Sequence, residues 1–222
     1  MQGQGDLSVI NNVGKVQREE SDMAAMITFL AKGGPVMIPL LACSITGLAV
    51  VLERALFWWR LRRVDAARRM LNLAAQGNWD EALHLGASSD CPIAKVLAAG
   101  IAHRNPAPAE AMGVAALKER DRLRRYLPAL DTIITLSPLL GLLGTVTGMI
   151  SAFGVMASGA INQPHAITGG VAEALIATAT GLAIAIVTLV PYNYFSAKAE
   201  RILDAMERDG SHLELLLKEA SR

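Results

Sequence analysis

The sequence predicts an all-α integral membrane protein with three transmembrane helices, two of which extend into a cytoplasmic helical bundle. Three observations predict it. Of 222 residues, 52% are hydrophobic and only 18% are charged, below the roughly 25% charge of soluble domains. Three apolar stretches reach the roughly 20 residues that a helix needs to cross about 30 Å of hydrocarbon. Lys and Arg, finally, are shared very unequally among the segments that join them.

Residues 1–34 precede the first span. Ser21 or Asp22 caps a short helix whose apolar side is Met23, Met26, Ile27 and Leu30, and Gly33, Gly34 and Pro35 end it. It reads as a helix on the outer membrane–water interface, with a helical extension of span one as the alternative. The first 30 residues lack a basic region followed directly by an apolar core and a small-residue cleavage site. Span one is therefore expected to act as its own uncleaved signal.

Span one covers residues 35–59, uncharged until Glu53 and Arg54, with Trp58 and Trp59 as an interfacial belt. The region 60–131 is helical in pattern. Val64, Ala67, Met70, Leu71 and Ala74 recur at helical spacing, Gly77-Asn78 marks a turn, the pattern resumes from Trp79, and Pro92 opens another helix. Pro106 and Pro108 break the chain before a helix over residues 109–127. Its mixed-sign run from Lys118 to Arg125 fits a solvated face with some contact to anionic membrane lipids, and argues against a nucleic-acid site. Span two covers 132–158, a short polar loop 159–168, span three 169–195 with Tyr192 and Tyr194 as aromatic anchors, and a C-terminal helix 196–222.

Orientation follows from the basic residues. Twelve Lys and Arg fall within 60–130, five follow Phe195, three precede Pro35, and the loop around Gln163 has none. The positive-inside rule then puts the long middle region and the C-terminus in the cytoplasm, and the N-terminus and short loop on the other side.

Residues 132–195 hold one formal charge, Glu173. An acid at the centre of a membrane helix costs about 2.5–3.5 kcal/mol on insertion scales, and such residues usually face protein or a water-filled path. Burial disfavours the charged carboxylate, so the functional reading is an ion-carrying acid; a carboxyl that only hydrogen-bonds a neighbouring helix is the plainer one. Glu173, Ala177, Gly181 and Ala185 stand four apart on one face, and Gly144, Gly148 and Ala152 form a matching small-residue series on span two. The acid thus shares its stripe with residues that invite close helix contact. Thr145 and Thr147 on span two and Thr178, Thr180 and Thr188 on span three lie near the same level, available to relay a proton or coordinate an ion. Each can equally bond back to its own helix. Thr180 shares the face of Glu173 most closely.

The run Gly141-Leu142-Leu143-Gly144-Thr145-Val146-Thr147-Gly148, with Val171-Ala172-Glu173-Ala174-Leu175-Ile176-Ala177-Thr178-Ala179-Thr180-Gly181 on span three, resembles the MotA/TolQ/ExbB proton-channel family, and its ExbB/TolQ branch in particular. The resemblance implies a pore-forming homo-oligomer, a pentamer, in the bacterial inner membrane, with a periplasmic N-terminus. Spans two and three would surround a pore holding single-span ExbD/TolR-like partners, and H⁺ flow would drive work through a TonB- or TolA-like protein. It implies that Glu173 is the buried acid and that Thr145 and Thr178 line the pore; Thr180 stands at a place more usually apolar in the family, a departure that bears on ion preference. The partner would supply an intramembrane Asp, which this chain lacks. Thr168-Gly169-Gly170 stands where the family often has Ala-Pro-Gly, which implies a looser start to span three. A flagellar stator subunit fits less well, since those resemble a four-span design.

Other chemistry finds no support. Cys43 lies in span one and Cys91 in the cytoplasm, so neither a mutual disulfide nor a metal site is expected. His84, His103, His165 and His212 are scattered, without paired metal spacing. The Gly141 run lacks the Lys-Ser/Thr of a phosphate-binding loop, and no second intramembrane acid stands ready for proteolysis. Enzyme activity and a bound cofactor are not expected; H⁺ is the expected coupling ion. The alternatives are a Na⁺-driven member of the same family, using several oxygen ligands, and a non-conducting membrane scaffold.

Overall fold

The computed structural model describes residues 33–61, 65–157 and 164–220. They form helices and connecting turns, with no strand among them. The helices are α1 (Met37–Arg60), α2 (Asp65–Ala75), α3 (Trp79–Ala87), α4 (Pro92–Ala102), α5 (Pro108–Arg124), α6 (Leu127–Ala157) and α7 (Pro164–Ala220). Among the described residues three helical stretches are long and apolar enough to cross a membrane: Met37–Arg60 (α1), Pro108–Ala157 (α5 and α6) and Thr168–Ala220 (within α7). The interfacial helix expected ahead of span one and residues 159–163 of the expected loop 159–168 lie outside the described residues. The helix of span three already runs from Pro164 and continues without a break through the segment read as a separate C-terminal helix.

Each terminus has a local cause. Pro92 and Pro108 stand in the first turn of α4 and α5, where a missing N–H costs nothing and the fixed φ suits a helix. Gly77, at φ 80°, makes the turn between α2 and α3 in a left-handed conformation that glycine adopts without strain. The helix expected over 109–127 stops instead at Arg124. Tyr126 takes a left-handed φ of 65° and α6 starts anew at Leu127. Pro138 and Pro191 lie inside α6 and α7; membrane helices tolerate such residues where neighbouring groups satisfy the freed carbonyls.

The chain divides into two compact units, one within Met1–Thr46 and Ile133–Val187, the other within Gly47–Thr132 and Thr188–Arg222. In the second, Met70, Ala82, Ala94, Leu97, Leu123, Leu130 and Leu213 form a buried core. The helical spacing of 67, 70 and 74 on α2 delivers one apolar face to it. Trp58, read as part of an interfacial belt, belongs to this core, whereas Trp59 is 68% exposed. The reason is periodicity: Trp58 lies one turn beyond Arg54, on the face of α1 that is buried.

The mixed-sign run on α5 is more than a solvated face. Glu119 is buried and pairs with Arg122 at 3.3 Å and Lys95 at 4.0 Å. Arg124 pairs with Glu200 on α7. Arg54 is only 2% exposed; two of its nitrogens donate to the two Glu53 oxygens at 2.5 and 2.7 Å, and a third to the Arg122 carbonyl at 3.3 Å. Its guanidinium also lies 4.4 Å from the Phe57 ring centroid and 5.5 Å from that of Tyr126.

Leu97 is fully buried in this core. Leu97→Ala should lower stability by about 2–5 kcal/mol, read as a fall in the thermal melting temperature of the purified protein in detergent.

Candidate functional site

In the first unit α6 and α7 pack closely along their small residues. A Cβ added at Gly144 would overlap the Ala177 Cβ, one at Gly148 would stand 2.9 Å from the Ala174 Cβ and the Gly170 carbonyl oxygen, and one at Gly181 would overlap the Ser137 carbonyl oxygen. At Gly141 the neighbours are backbone atoms, Thr178 Cα at 3.0 Å and Ala177 O at 3.1 Å. The register is antiparallel, with 137 opposite 181, 141 opposite 178, and 148 opposite 174 and 170. Small side chains permit this approach, and in hydrocarbon such packing, rather than water exclusion, drives association. Within the Thr168-Gly169-Gly170 stretch, a Cβ at Gly170 would meet the Ala152 Cβ and the Gly148 carbonyl oxygen at 3.1 Å, whereas one at Gly169 would meet nothing within 4 Å.

Glu173 is carried on this face of α7, one turn before Ala177, and is half-buried. Its carboxyl rests on the turn that opens α1: a Cβ at Gly34 would overlap Glu173 Oε1 and lie 2.6 Å from Cδ. The opening turn is held in place by Val36, Met37 and Leu40, which cluster with Leu140 of α6 and Ile184 of α7.

The hydroxyls divide into two kinds. Thr145 donates to the Leu142 carbonyl at 2.7 Å, Thr147 to Leu143 at 3.0 Å, and Thr180 to Ile176 at 2.8 Å, each within its own helix. Thr178 alone of these four donates across to the other helix, to the Gly141 carbonyl at 2.8 Å. The structure therefore brings Thr178 to the α6–α7 seam beside Gly141, while Thr145 and Thr180 spend their protons locally. A hydroxyl that donates to its own backbone still offers oxygen lone pairs outward, so Thr145 and Thr180 remain able to accept a proton or a cation. Ser137 adds a further kind of polar site: its hydroxyl is fully buried and has no hydrogen-bond partner among the described residues.

Two contacts escaped sequence reasoning. Gly34 meets Glu173 across a long stretch of chain, and its only sequence signal is the Gly33-Gly34-Pro35 turn ahead of an apolar run. The burial of Arg54 has no sequence signal beyond its place beside Glu53 at the end of an apolar run. Cys43 and Cys91 are both free, and among the described residues no three His, Cys, Asp or Glu gather as metal ligands.

The outward side chains of the three apolar helices complete the class. Ile38, Ile45 and Leu48 of α1, Leu139, Ile150 and Phe153 of α6, and Leu175, Ile186 and Val187 of α7 are exposed, which in water is untenable over so wide a surface. The fold and site define a multi-span helical membrane protein in which a tight pair of helices carries one intramembrane acid. The chain belongs to the MotA/TolQ/ExbB proton channel family, whose profile matches residues 88–208. It is 34% identical over 191 residues to biopolymer transport protein ExbB-like 3 of Synechocystis sp., covering 83% of this chain and 91% of that one. It is 37% identical over 202 residues to ExbB-like 1 of the same organism, covering 85% and 77%. The Tol-Pal system protein TolQ of Pseudomonas aeruginosa is 42% identical over 95 residues, 43% of this chain and 41% of that protein.

Because its neighbour is backbone, Gly181→Val should weaken the α6–α7 pair by about 1–3 kcal/mol or more, seen as a lower melting temperature and poor yield. Gly154→Ala, whose added Cβ meets nothing within 4 Å, should leave both unchanged.

Proposed function

We propose that the chain is the ion-channel subunit of an inner-membrane motor that couples proton motive force to a TonB- or Tol-type system. The observation that carries this is Glu173, the single formal charge in residues 132–195, on the small-residue face of α7. The names of the similar proteins, biopolymer transport protein and Tol-Pal system protein, support the coarse role.

The chemistry is reversible neutralisation. Ionised, the Glu173 carboxylate needs a hydrogen-bond donor, water or a partner group; protonated, it tolerates an apolar wall. One charge crossing 100 mV releases about 2.3 kcal/mol, so a few protons per step suffice to rearrange helix contacts of ordinary strength. One carboxyl per subunit makes no continuous relay, which calls for an acid on a single-span ExbD/TolR-like partner within a homo-oligomeric, pentameric pore. Thr145, Thr178 and Thr180 supply hydroxyl oxygens along that path. The broad apolar surfaces of α6 and α7 suit packing between subunits. The Lys and Arg distribution favours a periplasmic N-terminus and a cytoplasmic C-terminus. The role is transduction rather than catalysis.

The test is H⁺ flux into vesicles containing the chain and the single-span protein that co-purifies with it, identified by mass spectrometry. Glu173→Gln should reduce flux to background while the oligomer runs unchanged in size-exclusion chromatography. Flux indifferent to Glu173→Gln would overturn the reading in favour of a scaffold, and flux that requires Na⁺ at constant pH would assign the other ion.

A further inference from the structure

We propose that Gly34 is a positioning residue for Glu173: the bare Cα of the turn that opens α1 is the seat on which the intramembrane carboxyl rests. Span one thereby takes part in the ion path that spans two and three frame. The inference rests on the role proposed for Glu173, but the contact itself stands on geometry alone.

Two independent features make the seat. Gly34 holds φ at 72°, a left-handed conformation that residues with a Cβ rarely adopt, Asn and Asp excepted. The space a Cβ would fill is taken by the acid, with Oε1 overlapping it, Cδ at 2.6 Å and Cγ at 3.1 Å. The backbone favours glycine and the filled space requires it; together they tie the conformation of this turn to the position of the carboxyl.

The turn is not free to drift. Gly34 O accepts the Met37 N–H at 3.0 Å, closing it onto the first residues of α1. A Cβ at Gly33 would lie 3.3 Å from Ile176 Cγ2, and Val36 Cγ1 lies 3.7 Å from the Cβ position of Gly144. Glu173 and Ile176, three apart on α7, thus meet consecutive glycines of one turn. A carboxyl braced on immobile backbone has one side closed, so its proton is exchanged from the open side unless the turn moves. Any side chain at position 34 pushes the flexible end of Glu173 off this seat, because the carboxyl yields more readily than the packed turn.

The test separates the contact from the conduction reading. In native membrane vesicles, Glu173 is labelled with dicyclohexylcarbodiimide, a hydrophobic reagent that adds to protonated carboxyls, and the adduct is quantified by mass spectrometry across pH. Gly34→Asn keeps a left-handed backbone at small cost but fills the seat, and should change the labelling rate about tenfold, the scale of coupling between touching residues. Its pH profile should move with it. Gly154→Ala, whose added Cβ meets nothing within 4 Å, should label like the parent protein. Parent-like labelling by Gly34→Asn would overturn the proposal. Should that variant not assemble, Gly34→Cys with Glu173→Cys, in a chain with Cys43 and Cys91 changed to Ser, should form an intrasubunit disulfide on mild oxidation. Failure to bridge overturns the contact. In the flux assay, loss in Glu173→Gln with amplitude and pH profile intact in Gly34→Asn sinks the Gly34 role alone. Flux intact in Glu173→Gln sinks the conduction reading, while labelling and bridging still report on the seat.

Discussion

The close approach of α6 and α7 is the constraint from which the placement of the acid follows. Gly141, Gly148, Gly170 and Gly181 let backbone meet backbone or Cβ at about van der Waals contact, and hydrocarbon offers no competing hydrophobic gain to rescue a looser pair. Once that seam is fixed, the helical period fixes the rest. Ala177 and Gly181 must point into it, and Glu173, one turn away on the same face, is carried to its edge. There the opening turn of α1 covers it. A carboxyl needing a defined environment in a lipid medium is thus located by residues that have no chemistry of their own.

Much of this was legible in the sequence, for reasons that differ by residue. The spans were legible as composition, because nothing but lipid rewards such long uncharged runs. Glu173 was legible as a lone charge, and Gly144, Gly148, Ala177 and Gly181 as small residues four apart, since both signals are local and the helix converts spacing into a face. The threonines were not separable. Spacing put Thr180 on the face of Glu173, but the hydrogen-bond partners of Thr145, Thr178 and Thr180 carry no sequence signal, and only the register of α6 against α7 makes Thr178 the one that crosses the seam. Gly34 was legible as a turn but not as a neighbour of Glu173, because a contact between distant segments leaves no mark in either.

Two expectations differ from the structure, each for its own physical reason. The expected helix over 109–127 ran past Arg124 because Tyr126 has good helical neighbours and no glycine warns of its left-handed backbone; tertiary context, including Arg54 and Arg125 over its ring, outweighs local propensity. Trp58 and Trp59 were treated as a pair because both suit a membrane interface. Adjacent residues on a helix point about 100° apart, so the pair was always going to divide, one into the core and one outward.

The surroundings of Arg54 carry a consequence for what that position accepts. A flat cation there fits between two aromatic rings and grips both oxygens of Glu53 while a third nitrogen holds the Arg122 carbonyl. An ammonium supplies equal charge but neither the planar faces nor the fork of donors. The joint is therefore keyed to the shape of the group as well as its sign, and lysine, the usual conservative exchange, is the wrong key.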